Sequence, residues 1–193
     1  NDPPHKTGLA HYLEHLMFKG TSKIGALDWP KEKQFIQEIE DLYEQYIRSQ
    51  DPQERKSIYE QIDLKSNEAS KIYTAGEYDR LLQSIGAKAV NAGTSYDYTT
   101  FIADIPANEL EKWLTIEAER FGELVLRGFH TELETVYEEF NISQDNDFRK
   151  VFNKLMNGVF GQHPYGHHSI IGFGEDLKNP SQKEIHAFFQ QHY

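Results

Sequence analysis

Apolar residues recur along this chain at a helical spacing, then briefly at a strand spacing, then at a helical spacing again. Leu9, Tyr12, Leu13, Leu16 and Met17 follow the i, i+3, i+4 pattern of one buried helix stripe. Thr7 stands where an N-cap is expected and Gly20 where a helix stops, so the first helix is expected from Thr7 to about Lys19. A second helix is expected over Pro30–Ser49, and Asp51-Pro52 opens a third that continues to about Tyr73. A fourth covers Glu77–Ser84 and ends at Gly86. The pattern then changes. Ala87–Ala92 and Tyr96–Ile105 carry Val, Thr, Tyr, Phe and Ile and read as two antiparallel strands joined at Gly93-Thr94-Ser95. Pro106 starts another helix, to about Phe121, and a long helix is expected from Thr131 to about Asn157. Gly158–Gly174 reads as irregular, and Pro180-Ser181 leads into a last helix ending near Tyr193.

This order predicts an α+β class, with helices packed on an antiparallel sheet. No internal repeat or low-complexity tract interrupts it, and 193 residues suffice for one domain with a real core. The block Ile24–Tyr73 is the most charge-rich and is expected to be a helical hairpin inserted between two parts of the core, solvated and structural in role. The start, Asn1-Asp2-Pro3-Pro4, carries neither an initiator Met nor a targeting pattern. The chain is expected to be a piece cut at both ends from a longer one.

Charge and composition narrow the chemistry. A net charge of −11 argues against nucleic acid as a partner, because phosphate binding needs a basic face. No apolar run approaches the length of a membrane span. Cysteine is absent, so disulfides and thiolate metal sites are excluded, and any metal must be held by His and carboxylate.

The polar face of the first helix answers that description. At 100° per residue, His11, Glu14 and His15 fall together opposite the apolar stripe. The i, i+4 spacing lets two imidazoles converge on one ion, and the intervening glutamate can hold a water beside it. Zinc lowers the pKa of bound water from 15.7 to about 7, so a carboxylate can take its proton as a carbonyl is attacked. The alternative is a solvated polar face that happens to contain two histidines. The amphipathic setting and the lack of lysine on that face favour the metal.

A catalytic zinc needs a third protein ligand. The long helix offers Glu132, Glu134, Glu138 and Glu139 around a stripe of Leu133, Val136, Tyr137 and Phe140. Glu138 faces water and Glu134 lies at one margin of the stripe. Glu132 and Glu139 lie together at the other, and helical geometry does not choose between them.

These residues carry a resemblance. Asp2-Pro3-Pro4 with Thr7 through Thr21, spanning His11-Tyr12-Leu13-Glu14-His15, resembles the signature of the pitrilysin/insulinase family, which includes the mitochondrial processing peptidases. Asn91-Ala92-Gly93-Thr94-Ser95 with Thr99 and Thr100 is similar to a strand of that family. Glu117-Ala118-Glu119-Arg120-Phe121 followed by Glu132 through Glu139 is similar to its distal glutamate helix, and Asn179-Pro180-Ser181 agrees. The resemblance implies a peptidase with one Zn2+ ion on His11, His15 and Glu139, Glu14 as general base, and Glu132 as a supporting acidic residue. It implies that Asn91, Ala92, Gly93 and Thr94 form an edge strand that pairs with an extended peptide or unfolded-protein substrate. It also implies a second partner, a C-terminal homologous domain or second subunit supplying Arg and Tyr groups that nothing here matches, so the chain alone is expected to cleave poorly. For a bacterial-looking member it suggests the periplasm or cell envelope. The interval from His15 to Glu139 is longer than the family pattern, and the surplus maps onto Ile24–Tyr73.

Other readings stand beside this one. A non-catalytic homologous subunit would have no chemical need for Glu14 with both histidines, and a metal-binding or scaffold module unrelated to proteolysis is the second alternative. His163, His167 and His168 cluster in a Gly/Pro-rich loop that reads as exposed more readily than as a second metal site. His5, His130, His186 and His192 have no partner spacing, and Tyr96 and Tyr98 are expected to be packing residues.

Overall fold

The apolar stripe of the first helix is the centre of the molecule. In the computed structural model, which describes residues 2–3 and 6–193, helix α1 spans Leu9–Leu16. Leu9, Tyr12, Leu13, Leu16 and Met17 are all buried. The helix is shorter than expected because Phe18 and Lys19 donate to the carbonyls three residues back, His15 and Leu16, which tightens the end into turns before Gly20. Its start also differs from expectation. Gly8, at φ 83°, is the cap residue, and the Asp2 carboxylate accepts from the Gly8 and Ala10 N–H groups at 2.8 Å each. Thr7 is not an N-cap. Its hydroxyl donates to Asp176 Oδ2 at 2.6 Å and accepts from the Phe173 N–H at 2.8 Å, binding the helix start to a segment far along the chain. There Gly8 and Gly172 cross so closely that a Cβ on Gly8 would lie 2.4 Å from the Ile171 carbonyl oxygen.

Helices α2 (Trp29–Arg48) and α3 (Pro52–Ala69) are capped by Asp28 and Asp51, whose side chains accept from Lys31 and Gln53 N–H groups. They form the expected hairpin, and a short 3-10 turn at Ser70–Ile72 follows. The hairpin is not merely solvated. Ile39, Tyr43, Ile58 and Ile62 enter the same core as α1, together with Phe129, Leu133 and Val136 of α6 (Phe129–Gln144). Ile185, Phe188 and Phe189 from the last helix complete that core.

Helix α4 (Glu77–Ser84) leads into strands β1 (Lys88–Thr94) and β2 (Thr99–Asp104), a two-stranded antiparallel sheet among the described residues. Asn91 faces Ile102, Ala92 faces Phe101, Gly93 faces Thr100 and Thr94 faces Thr99. Gly93 and Thr94 therefore belong to the strand, and the turn is Ser95–Tyr98, closed by the Ser95 N–H on the Tyr98 carbonyl at 2.8 Å. A bulge precedes Asn91, with Ala89 at φ 48°. The hairpin rests on α1 with one face, and Ile24, Tyr78, Leu82 and Ala87 form a smaller core with Phe18, Val90, Trp113 and Ile116, the last two from α5 (Leu110–Gly122).

The long helix expected over Thr131–Asn157 is two helices, α6 and α7 (Asp147–Phe160). Asn146 leaves helical geometry, and its side chain accepts from the Arg149 N–H at 3.0 Å, so an N-cap interrupts the run. Helix α7 leaves Phe148, Val151, Leu155 and Val159 exposed. Two single-turn helices, α8 (Pro164–His167) and α9 (Gly174–Leu177), punctuate the irregular stretch before α10 (Gln182–His192). The class is α+β, with helices against a small antiparallel sheet. Among the described residues no helix is long and apolar enough to cross a membrane.

Candidate metal centre

Helix α1 packs beside α6, and its histidine edge meets the glutamate edge of that helix. His11 Nε2 and His15 Nε2 lie 3.3 Å apart, and Glu139 Oε2 lies 3.6 Å from each. A tetrahedral zinc site with bonds of about 2.0–2.2 Å has ligand–ligand edges of about 3.3–3.6 Å. The three atoms thus have the separations that such a site requires. Among the described residues this is the one group of His and carboxylate side chains dimensioned for an ion.

The two acidic candidates at the helix margin, which the stripe alone leaves equivalent, separate here. Glu139 presents an oxygen to both imidazoles and is 42% exposed, so that side of the cluster is open. Glu132 is 12% exposed and lies behind His15, its Oε1 2.7 Å from Nδ1, while Oε2 pairs closely with Lys19 Nζ. This contact orients the His15 ring and directs Nε2 into the cluster. Glu138 points to water, and Glu134 accepts from the Tyr59 hydroxyl at 3.2 Å, away from the cluster.

The electrostatics of the two histidines diverge. Burial pushes the His11 pKa down to about 4, aided by the positive charges of His15 and Arg149. Burial also opposes charge on His15, but the Glu132 hydrogen bond and the charges of Glu139, Glu132 and Glu14 outweigh it and raise its pKa. Glu132 is disfavoured as an anion by burial, yet hydrogen bonds from His15 and Lys19 prevail and lower its pKa. His11 therefore favours the neutral imidazole, whereas the His15 surroundings favour the protonated ring.

Glu14 sits between the histidines on the same face and is buried at 9% exposure. Its Oε2 accepts a hydrogen bond from the Thr94 hydroxyl on β1. Thr94 thus stands beside the acid of α1, while Asn91 and Gly93 are exposed on the same strand and Ala92 is half-buried. A Cβ built on Gly93 would meet nothing within 4 Å, so the strand is open there. A cavity of about 390 Å³ adjoins Thr94, walled by Tyr96, Phe101, Phe121, Phe188 and Tyr193.

The remaining histidines stay apart from this group. His163 caps α8 through Nδ1, while His167 and His168 bond backbone carbonyls at 2.9 and 2.8 Å. His130 is buried against the Tyr43 hydroxyl at 2.7 Å, His192 packs on Phe188, and burial lowers the pKa of His186. His5 lies outside the described residues. Tyr96 packs against Tyr165 with ring centroids 4.8 Å apart, as a packing residue should, but Tyr98 is 65% exposed because it occupies the hairpin turn. Sequence reasoning did not find Lys19 as the partner of Glu132 or Asp2 as the cap of α1. The Lys19 contact depends on how α1 and α6 meet, and Asp2 acts from six positions before Gly8, outside the usual cap position.

The profile of the insulinase family, peptidase family M16, matches residues 1–43 and 63–171, leaving 44–62 in the helical hairpin unmatched. The chain is 28% identical over its whole length to zinc protease PqqE of Helicobacter pylori, covering 33% of that protein. It is 22% identical over 96% of its length to an uncharacterized zinc protease of Mycobacterium leprae, covering 31% of it. The chain spans about a third of the length of these curated relatives.

Proposed function

This chain belongs to the insulinase family of peptidases, and from that premise we propose that it is the zinc-bearing part of a metallopeptidase acting on peptides or unfolded proteins. The observation that carries this reading is the convergence of His11, His15 and Glu139 beside a buried Glu14. The names of two relatives, both called zinc proteases, support it.

A zinc ion at such a site supplies Lewis acidity and lowers the pKa of water from 15.7 to about 7. The chain's own residues do the rest. Glu14 is the general base. Thr94 engages its Oε2, which leaves Oε1 to take the proton from the attacking water. Glu132 fixes the His15 ring from behind, and Lys19 keeps Glu132 anionic. The backbone of β1 from Asn91 to Thr94 pairs with an extended substrate, so recognition rests on main-chain hydrogen bonds and tolerates varied sequences. A second homologous domain or subunit completes the site with Arg and Tyr groups.

The test is metal content and peptide cleavage of the full-length protein and its Glu14→Gln variant. Zinc retained with cleavage abolished is expected. Unchanged cleavage would overturn Glu14 as base, and failure of the parent protein to bind zinc would overturn the metal centre. Robust EDTA-sensitive cleavage by the 193-residue chain alone would overturn the need for a second domain.

A further inference from the structure

The hydroxyl of Thr94 is the last of three that run in series toward Glu14. Tyr193 Oη donates to Thr99 Oγ1 at 2.8 Å. Thr99 Oγ1 lies 3.3 Å from Thr94 Oγ1. Thr94 Oγ1 donates to Glu14 Oε2. Each hydroxyl has one proton to give. Tyr193 gives its proton to Thr99 and Thr94 gives its own to Glu14, so the central contact has one consistent direction, from Thr99 to Thr94. All three donors then point toward the carboxylate. Hydrogen bonds aligned in this way polarise one another and strengthen the terminal bond to the anion.

Three elements that the chain brings together contribute: the final residue after α10, the first residue of β2 and the last of β1. Thr94 and Thr99 are direct cross-strand partners, so the register of the hairpin sets their hydroxyls side by side. Tyr193 is half-buried, packed on Phe189 at 5.9 Å between ring centroids, which fixes its ring and aims its hydroxyl. Glu14 itself is a long side chain with several rotatable bonds, and the hydroxyl that holds it comes from β1.

We propose that Tyr193, Thr99 and Thr94 form a hydroxyl relay that positions the Glu14 carboxylate, and that the Thr94 side chain serves this purpose rather than gripping substrate. None of the three touches the reacting atoms, so they are positioning residues. The relay holds one carboxylate oxygen and leaves the other free. It also couples the base to the wall of the aromatic cavity, since Thr94, Thr99 and Tyr193 all line that space. This inference rests on Glu14 being the base.

The experiment compares the full-length protein with Thr94→Val, Thr94→Ser, Tyr193→Phe and the Thr94→Val/Tyr193→Phe double variant. In zinc-loaded protein Thr94→Val is expected to lower kcat by about tenfold to a hundredfold with KM and zinc content little changed. Thr94→Ser should recover most of the loss. Tyr193→Phe should lower kcat by about two- to fivefold alone and have no further effect in the Thr94→Val background, as coupling through one chain requires. Crystal structures of metal-free parent and Thr94→Val give a second readout. Glu14 should occupy one conformer in the parent and several in the variant, with α1 unmoved. A loss confined to KM, equal losses in Thr94→Val and Thr94→Ser, or a single unchanged Glu14 conformer in Thr94→Val would each overturn the relay. Retained cleavage in Glu14→Gln would instead overturn the assignment of the base, and the conformer comparison still decides whether the relay holds that side chain.

Discussion

Arg127 and Glu32 form a bidentate ion pair in the interior of the protein, both 1% exposed, with Nε on one carboxylate oxygen at 2.5 Å and Nη2 on the other at 2.8 Å. The guanidinium also donates to the carbonyls of Lys19, Thr21 and Ile24 at 2.6–3.0 Å. One side chain thus ties the segment before α6, the start of α2 and the loop that follows the histidine helix. A buried pair with its hydrogen bonds met is tolerated, whereas either partner alone is an uncompensated charge. Glu32→Gln or Arg127→Met is therefore expected to lower the unfolding free energy by about 3–5 kcal/mol. The double variant should lose less than the two single losses combined, as measured by urea denaturation. Additive losses would mean that the two charges do not interact.

The histidines of the metal centre should titrate apart. In metal-free protein, NMR titration should place His11 near 4 and His15 above 6.5. A neutral imidazole is the ligand form, so zinc affinity should fall as pH drops through the raised His15 value. His11 should add no further loss until about 4. Coincident titration of both rings near 6.5 would show that neither the burial of His11 nor the Glu132 contact acts as described.

Glu132 should matter to the metal without touching it. Glu132→Gln removes the negative charge that orients His15 and pairs with Lys19, and should weaken zinc binding by about 10–100-fold in chelator competition. Glu138→Gln on the exposed face of the same helix is the control and should leave affinity unchanged. Equal effects would reduce the role of Glu132 to general charge.

Two glycines with positive φ should respond unequally to alanine. Gly76, at φ 70°, has nothing within 4 Å of a built Cβ, so Gly76→Ala should cost only the left-handed penalty of about 1–2 kcal/mol. Gly172, at φ 80°, would place a Cβ 2.4 Å from the backbone of Thr7. Gly172→Ala should add a collision at the crossing that anchors α1, and cost clearly more in the same denaturant measurement. Equal losses would show that the crossing can open.

Most elements were legible in the sequence because their signals are local. Glu77–Ser84 has its expected bounds, and the hairpin helices have them within a few residues, set by Asp28 and Asp51 as caps. At the start of α1 a distant partner overrides a local one. Thr7 has the chemistry of an N-cap, but Asp176 claims its hydroxyl and Asp2 takes its place. The break at Asn146 comes from a cap residue inside the helical run, whose side chain accepts from the Arg149 N–H.

The sequence by itself determined that His11, Glu14 and His15 share one face of a helix, since 3.6-residue periodicity places them there without any outside contact. It also limited any metal to His and carboxylate ligands. It could not separate Glu132 from Glu139, because seven residues is nearly two whole turns and brings both to one edge. The tertiary structure decided that. The packing of α6 across α1 sets one glutamate in line with both Nε2 atoms and the other behind His15, near Lys19. Likewise only the hairpin register, formed between strands, carries Thr94 to Glu14, 80 positions away. Direction along a helix is local, whereas distance between elements is fixed by how their buried faces fit.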